Sequence, residues 1–218
     1  MIWLPLLLGV APQTICIDPG HPSEVGRGAK GKSISEIEAA WKVGKLLEKE
    51  LVSKGYKVVL TKSKMNQFVA NKDRSSIANK ANADLMVRLH CDAQGGSGFA
   101  VYYPTKQGKV DGKTGPSQSV LDRCAVIAPV FHQTMKKQLG GKLHDNGLMP
   151  DTKTLIGSKY GALKGSIHSE IPLVLVEMVR LTSKSDDKFI ASKAGQELMA
   201  KALAAAVIES VPKPKVNK

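Results

Sequence analysis

Residues 14–21 read TICIDPGH, a short apolar run that stops at Pro19-Gly20 and is followed directly by a histidine. An apolar run that ends in Pro-Gly predicts a buried β-strand leading into a loop. Beyond the loop, Ser33 and Ser35 each precede a glutamate by three residues, the capping-box spacing that begins a helix. Apolar residues then recur at spacings of four and three as far as Gly55, which predicts one amphipathic helix.

The same alternation of strand and helix continues along the chain. Further strands are predicted at residues 56–61, 85–90, 99–103 and 173–176, and helices at residues 73–83, 120–135 and 186–208. Residues 105–117 are predicted to be a surface loop, and residues 140–169 a loop with one short strand. Alternating strands and helices are typical of an α/β layered domain.

The composition is that of one globular domain. The 218 residues are 42% hydrophobic and 23% charged, which excludes a disordered chain, a collagen-like chain and a disulfide-dense miniprotein. The 32 basic and 19 acidic residues give a net charge of +13, which favours a polyanionic partner such as nucleic acid, anionic lipid or anionic cell wall. Aromatic residues are only 5% of the chain and do not interleave with arginines, so nucleic acid is not expected. A solvated lysine surface is the simpler alternative.

The two ends of the chain differ from its middle. Residues 1–11 are nearly all apolar but form only about half of the ~20 residues that a spanning helix needs, so no membrane span is expected. They predict a secretory leader ending at Gly9-Val10-Ala11, without the usual basic start; a shortened start or a buried first strand would give the same string. The predicted organisation is a leader at 1–11, one folded domain at 14–211 and a basic tail at 212–218, in a secreted or periplasmic protein.

Polar residues occur where three of the predicted strands end. His21 follows the first strand, His90 ends the third, and Glu177 ends the strand at 173–176. Ligands of open α/β sheets gather outside the carboxyl ends of the strands, so these side chains are expected at one edge, together with Glu36 from the first helix. Two histidines and a glutamate are the ligand set of a catalytic zinc site, and the other glutamate suits a general base. Spacing alone leaves open that each is an ordinary hydrogen-bonded residue.

Several short motifs occur together in the order and spacing of one known family. They are IDPGH at residues 17–21, SEI at 35–37, IAN at 77–79, ADL at 83–85, HCDA at 90–93 and PLVLVE at 172–177. Over about residues 14–211 this set resembles the zinc-dependent N-acetylmuramoyl-L-alanine amidases of the Amidase_3 type. Residues 55–61 and the pair Asp73-Arg74 fit the same pattern.

The resemblance implies a single layered α/β domain, with a mixed, mostly parallel sheet flanked by helices on both faces. It also implies Zn²⁺ bound by His21, Glu36 and His90, with Glu177 as the catalytic carboxylate. The implied reaction is hydrolysis of the amide between N-acetylmuramic acid and L-alanine in peptidoglycan, in which zinc polarises the carbonyl and supplies hydroxide. Anionic cell-wall polymers are a further expected partner, and the chain is expected to be a monomer.

Six residues at four places in the chain depart from the family pattern: Pro22-Ser23, Arg88, Asp92 and Met178-Val179. Of these, Arg88 and Met178 are expected to lie near the metal and to affect which stem peptide fits the substrate groove.

Two functional alternatives and two residue roles stay open. His21-Pro22-Ser23-Glu24 also matches the H-x-x-E ligand pair of zinc carboxypeptidases, so Glu24 competes with Glu36, which is favoured because it resembles the amidase ligand. A non-catalytic cell-wall-binding module would keep the fold without turnover. Asp18 either orients His21 or caps the loop. His168 is either an oxyanion donor or substrate contact, or an exposed turn residue.

Overall fold

The computed structural model describes residues 12–212, so the predicted leader at 1–11 and residues 213–218 of the predicted tail lie outside the described part. The strands are β1 Thr14–Pro19, β2 Lys57–Leu60, β3 Leu85–Asp92, β4 Phe99–Tyr103, β5 Gly108–Val110, β6 Lys113–Gly115, β7 Asp145–Pro150 and β8 Leu173–Arg180. The helices are α1 Glu36–Ser53, α2 Asn71–Lys80, α3 Gln118–Leu139, α4 Leu155–Tyr160, α5 Lys164–Ile167, α6 Lys184–Ala191 and α7 Lys193–Ser210, with a 3₁₀ turn, Asp151–Lys153, before α4.

Six of the strands form one mixed sheet in the order β2-β1-β3-β8-β4-β7. β2, β1, β3 and β8 are parallel, β4 runs antiparallel to β8, and β7 is parallel to β4. The two remaining strands, β5 and β6, form a separate antiparallel hairpin. The predicted α/β domain with a mixed, mostly parallel sheet and flanking helices is therefore confirmed.

One face of this sheet is apolar, and we call it the core face. It is formed by alternate residues of the four inner strands: Ile15, Ile17, Leu85, Val87, Leu89, Phe99, Val101, Val174 and Val176. Helices α1 and α7 and the second half of α3 cover the core face, and α7 packs against both of the others. Because successive strand residues point to opposite sides, the residues between these belong to the other face.

The opposite face, which we call the polar face, changes character along the strands. Near the start of three parallel strands it is apolar and packs against Ala78 of α2, through Cys16, Met86 and Leu173. Further along the same strands it carries four ionisable residues: Asp18, Arg88, His90 and Glu177. Helices α2 and α5 pack together on this side, and the Ser75 hydroxyl of α2 donates to the Gly165 carbonyl of α5 at 2.8 Å. At the carboxyl end of these strands the polar face borders a cavity lined by Arg88, His90 and Glu177.

Helix α1 brings Glu36 to that end. Ser35 caps the helix by accepting a hydrogen bond from the Glu38 N–H at 3.3 Å, as the capping-box spacing predicts. Glu36 is therefore the first residue of α1, beside the carboxyl ends of β1 and β3.

β8 is longer than the sequence indicated. A strand at 173–176 with Glu177 at its end was expected, whereas β8 continues to Arg180 because the buried residues Met178 and Val179 extend the ladder. β3 likewise extends two residues beyond His90. Glu177 and His90 are therefore direct ladder partners inside neighbouring strands, and the prediction that they are terminal strand residues was wrong.

Three segments differ from what the sequence predicted. The expected loop at 105–117 contains the β5–β6 hairpin, and the segment at 140–169, expected to be a loop with one short strand, contains the strand β7 and also the helices α4 and α5. The expected single helix at 186–208 is divided at Ser192, whose hydroxyl caps α7 by accepting a hydrogen bond from the Gly195 N–H at 3.0 Å. A serine side chain that accepts a hydrogen bond from a backbone N–H further along the chain favours the start of a new helix over continuation of the preceding one.

Within residues 12–212, none of the helices has the length and apolarity needed to cross a membrane. All three cysteines, at positions 16, 91 and 124, are free and buried.

Candidate functional site

Three potential metal ligands converge at the carboxyl end of the sheet. His21 follows β1, Glu36 begins α1 and His90 lies in β3, and each offers a ligand atom within 4.8 Å of the others. His21 Nε2 is 3.4 Å from Glu36 Oε1, and His90 Nδ1 is 2.9 Å from the same oxygen. Two imidazoles and one carboxylate form a donor set that suits Zn²⁺ and leaves a coordination position for water.

Backbone groups hold these side chains in place. The His21 Nδ1 lies 3.0 Å from the Gly26 carbonyl oxygen, which leaves Nε2 directed at Glu36. Glu36 accepts hydrogen bonds from the Ala29 N–H at 2.6 Å and the Cys91 N–H at 3.2 Å. The carbonyl of Gly26, rather than Asp18, therefore orients the His21 ring.

Two glycines allow the chain to pass close to the three ligands. A Cβ atom at Gly20 would lie 2.5 Å from His90 Cε1, and one at Gly28 would lie 2.5 Å from Glu36 Oε2. Both distances are shorter than van der Waals contact allows. Any side chain at either position would therefore displace a candidate ligand.

The charge state and bonding of the cluster suit a metal. His90 Nε2 is buried and has no hydrogen-bond partner among the described residues. Burial lowers the pKa of His90, although the neighbouring Glu36 acts in the opposite direction, and the neutral imidazole is the form that binds metals. Burial alone would raise the pKa of Glu36, but its hydrogen bond with His90 holds that pKa below the usual value. The cluster therefore suits a divalent cation, because the Glu36 carboxylate is ionised and the His90 imidazole beside it is neutral.

Glu177 lies beside this cluster on the polar face. It is the ladder partner of His90, and its Oε2 atom is buried without a hydrogen-bond partner among the described residues. Burial raises the pKa of Glu177 well above its usual value, and the negative charges of Glu36 and Asp92 add to this effect. A carboxyl group with a raised pKa in a cleft is a candidate proton carrier.

The cluster opens into a cavity of ≈ 380 Å³. One side of this cleft is formed by His21, His90 and Glu177, with Arg88 beside them. Residues 153–164, from the end of the 3₁₀ turn to the start of α5, contribute six other lining residues: Lys153, Thr154, Leu155, Ile156, Leu163 and Lys164. The cleft therefore has the candidate ligands and Glu177 on one side, and its other wall is partly apolar and partly cationic.

A buried charge network lies under the cleft. Asp18 accepts hydrogen bonds from Arg74 at 2.6 Å, Arg88 at 2.8 Å and Thr61 at 2.5 Å. Burial alone would raise the pKa of Asp18, but the two arginines hold it well below its usual range. Arg88 also donates to Asn71 Oδ1 at 2.5 Å, so its guanidinium is fixed in the floor of the cleft.

Three other residues named from the sequence lie away from the cluster. Glu24 is exposed and accepts two hydrogen bonds from Asn71, at 2.9 and 3.0 Å, instead of joining the three ligands. His168 lines a second cavity of ≈ 370 Å³ together with Lys72 and Lys113. Met178 packs in the core face, so the expectation that it shapes the substrate groove was wrong.

Sequence reasoning missed Lys62, a lysine that is only 2% exposed. Its ammonium group donates to the backbone carbonyls of Gly20, His21 and Met65. Burial lowers the pKa of Lys62 to about 8. No local pattern marks this lysine among the many others of the chain, because two of its three partners are backbone atoms about forty residues away.

Comparison with known proteins agrees with this geometry. A family model described as N-acetylmuramoyl-L-alanine amidase matches residues 15–209. The chain is 28% identical over 147 residues to the sporulation-specific N-acetylmuramoyl-L-alanine amidase of Bacillus subtilis (strain 168), an alignment that covers 62% of this chain and 56% of that protein. The matched part of the chain therefore spans about half the length of this relative.

Solved structures resemble the whole described fold. The N-acetylmuramoyl-L-alanine amidase AmiC2 of Nostoc punctiforme superposes with a TM-score of 0.71 at 23% identity, covering 94% of this chain and 100% of that one. The N-acetylmuramyl-L-alanine amidase Ami1 of Mycobacterium smegmatis gives a TM-score of 0.74 at 18% identity, covering 92% and 97%. At such identities the similarity establishes the fold.

Proposed function

The chain belongs to the N-acetylmuramoyl-L-alanine amidase family of the Amidase_3 type, and we propose that it hydrolyses the amide bond between N-acetylmuramic acid and L-alanine in peptidoglycan. The resemblance of the sequence motifs to that family is thereby confirmed. The observation that carries the proposed activity is the convergence of His21, Glu36 and His90 beside Glu177 in an open cleft.

We propose Zn²⁺ as the metal, held by His21, Glu36 and His90. The convergence of His21 Nε2 and His90 Nδ1 on Glu36 Oε1, and the ionised state of Glu36, support this assignment. Zinc in such a site acts as a Lewis acid on the scissile carbonyl and lowers the pKa of a bound water. The protein contributes the fixed orientation of the ligands, through Gly26 on one side and Ala29 and Cys91 on the other.

Glu177 is the proposed general base and acid. Its carboxylate takes a proton from the attacking water and returns it to the amino group of L-alanine as the amide bond breaks. The raised pKa of Glu177 supports the second half of this cycle, since the carboxyl must hold the proton until the amine accepts it. Leu175 also lines the cleft, and this apolar neighbour favours the protonated form of Glu177 that the acid role requires.

The wall of the cleft suits an acidic peptide. The cleft wall offers Lys153 and Lys164 besides Arg88, so a peptide that carries carboxylates would meet positive charge there. Arg88 uses its Nε and one terminal nitrogen on Asp18 and Asn71, so its role toward substrate is limited to charge at the cleft floor. We therefore assign stem-peptide recognition to Lys153 of the 3₁₀ turn and Lys164 of α5 rather than to Arg88.

The proposed setting is the cell envelope, as a secreted or periplasmic monomer acting on peptidoglycan, with anionic wall polymers as a further partner. The net charge of +13 supports attraction to such polymers. Against the carboxypeptidase-like alternative, both carboxylate oxygens of Glu24 are already bound by Asn71.

Turnover on purified peptidoglycan tests the proposed function. Zinc-loaded protein is incubated with washed cell walls, and newly formed amino termini of L-alanine are counted, with chelator-treated protein as the control. We expect alanine amino groups to appear only with the metal-loaded protein. Release of C-terminal amino acids instead would identify a carboxypeptidase, and wall binding without any release would identify a non-catalytic module.

A further inference from the structure

The backbone that carries His21 adopts an unusual conformation. His21 has a φ of +46°, in the left-handed region that residues with a Cβ rarely adopt. On one side, Gly20 packs against His90 and donates its N–H to the Leu89 carbonyl at 2.8 Å. Strained conformations of this kind persist only when surrounding contacts hold them in place.

Two buried cations hold this turn by its carbonyl groups. Arg74 donates to the Pro19 carbonyl at 2.8 Å and to the Pro22 carbonyl at 3.0 Å. Between these, Lys62 donates to the Gly20 carbonyl at 3.3 Å and to the His21 carbonyl at 2.5 Å. Four consecutive carbonyl oxygens, from residue 19 to residue 22, are thus each bound by one of two side chains, which we call the carbonyl clamp.

Both members of the carbonyl clamp are fixed by other contacts. Arg74 is 1% exposed and is anchored by Asp18 at 2.6 Å and by the Val69 carbonyl at 2.9 Å. Lys62 is anchored by the Met65 carbonyl at 2.9 Å, and its Nζ lies 5.8 Å from the centre of the Trp41 ring. In the described part of the chain, Lys62 Nζ forms no ion pair within 4.0 Å.

A buried ammonium without a carboxylate partner is costly unless its donors are satisfied. Here the donors are satisfied by the turn around His21, so the lysine and the turn stabilise each other. Arg74 differs from Lys62 because it also neutralises Asp18, which gives it a role in the charge network of the polar face.

We propose that Lys62 is a positioning residue for the metal ligand His21, acting with Arg74 through the carbonyl clamp. This rests on the proposed metal site. Without the Lys62 ammonium, the Gly20 and His21 carbonyls lose a donor, and the turn relaxes away from the positive φ. His21 Nε2 then leaves its position 3.4 Å from Glu36 Oε1, and one of three ligands is misplaced. Loss of a residue that orients a metal ligand typically weakens metal binding by about 10- to 100-fold.

Zinc affinity of the Lys62→Met protein tests the proposal. Methionine keeps the length of the aliphatic chain but has no donor. The matched control is Lys45→Met, because Lys45 Nζ also lies near Trp41, at 5.9 Å from the ring centre, but its side chain is 47% exposed and pairs with Glu48. The zinc dissociation constant is measured by competition with a chromophoric chelator, on protein shown to be folded by circular dichroism.

We expect Lys62→Met to raise the zinc dissociation constant by about 10- to 100-fold, and Lys45→Met to leave it unchanged. A purely structural lysine would lower the melting temperature of the metal-free protein without changing the zinc affinity of the folded molecules. Equal zinc affinity in folded Lys62→Met and wild-type protein overturns the proposal.

A second variant decides the case in which Lys62→Met does not fold. Lys62→Gln keeps one neutral donor, and we expect a zinc affinity between those of the wild type and a protein without a donor. Wild-type affinity in Lys62→Gln would mean that the ammonium of Lys62 is not what positions His21. Failure of both variants to fold would mean that Lys62 supports the fold as a whole instead of positioning one ligand. Absence of stoichiometric zinc binding by the wild-type protein would instead contradict the proposed function, so the two failures are distinguishable.

Discussion

The two faces of the sheet are formed by the same strands, but their side chains are stabilised in different ways. On β3, Leu89 points to the core face and its neighbour His90 to the polar face; on β8, Val176 and Glu177 divide in the same way. Removal from water stabilises the core-face residues without needing specific partners. The polar-face residues His90 and Glu177 are only partly buried, and the polar face depends on partners from distant parts of the chain. Removal from water therefore stabilises one residue of a strand directly, whereas its neighbour on the other face is stabilised only when it has a partner.

The polar face has two parts, which differ in whether the protein itself supplies partners for their polar and charged groups. Asp18 is fully paired by Arg74 and Arg88, so this part is complete within the protein. At the cleft, His90 Nε2 and Glu177 Oε2 lack partners among the described residues. A paired region stabilises the fold, whereas an unpaired buried region is suited to receive a ligand.

The largest effect is expected where an unpaired residue of the polar face is removed. His90→Ala leaves two of three ligands, so zinc should be lost at stoichiometric concentrations and turnover should fall to background. Metal content after gel filtration measures the first effect. Glu24→Ala is the control and should keep its zinc. If Glu24→Ala loses the metal while Glu36→Ala retains it, the ligand set is that of the carboxypeptidase-like alternative.

Glu177→Gln should separate catalysis from metal binding on the same face. Glutamine has the size of glutamate but cannot carry a proton at neutral pH, so turnover on peptidoglycan should fall by at least about 100-fold while zinc is retained. Glu170→Gln, at a glutamate with a 71% exposed side chain, is the control and should be fully active. Near-normal turnover of Glu177→Gln would assign the base to another group, and loss of zinc would make Glu177 a ligand.

Asp18→Asn should show that the paired part of the polar face supports the fold. Two buried arginines lose their counter-charge, which should lower the free energy of unfolding at pH 7 by about 3 kcal/mol. Because the pKa of Asp18 is depressed in the folded state, its stabilisation is present above the unfolded pKa and is lost as pH falls below about 4.

Denaturant unfolding at two pH values measures this effect. The difference between wild type and Asp18→Asn should narrow by about 1 kcal/mol between pH 5 and pH 3. A difference that does not change with pH would show that the lost stability does not come from the charge of Asp18.

Val176→Ala tests the core face one residue away from Glu177. Val176 is fully buried, so loss of two methyl groups should lower the free energy of unfolding by about 2 kcal/mol. Turnover at a temperature where the protein is folded should stay close to normal. Val126→Ala, at a valine that is 72% exposed on α3, is the control and should change stability by less than about 0.5 kcal/mol. A large loss of turnover in Val176→Ala would show that the two faces are not independent.

The inner strands of the sheet could be predicted from the sequence because a short apolar run bounded by turn residues is a local pattern. The strands containing Ile15, Val87 and Val174 were all recognised in this way, as was the helix capped by Ser35. The α4–α5 wall could not be predicted, because helices of six and four residues are too short to be stable without tertiary contacts. Their sequence therefore carries little helical signal of its own.

The site was predictable only in part, for a related reason. The motifs around His21, Glu36 and His90 are short and resemble a known family, so these residues could be named. The contacts that hold them could not, since Gly26 acts through a carbonyl and Lys62 through backbone oxygens about forty residues away. Asp18 was similarly ambiguous, because its partners Arg74 and Arg88 are brought to it only by the fold.

The smallest effect is expected outside both faces, on the lysine-rich surface. Lys72, Lys80 and Lys113 line the cavity that contains His168, and each is exposed. If this surface attracts anionic wall polymers, binding to intact walls should weaken as salt rises from about 0.1 to about 1 M, because the Debye length falls from about 10 to about 3 Å. Turnover on a short soluble muropeptide should change little over the same range, since the cleft holds its charges at contact distance from a substrate. The double variant Lys72→Gln/Lys113→Gln should reduce wall binding at low salt by a few-fold and should leave muropeptide turnover intact. Equal salt sensitivity on both substrates would place the charge effect inside the cleft and remove the role of the lysine-rich surface.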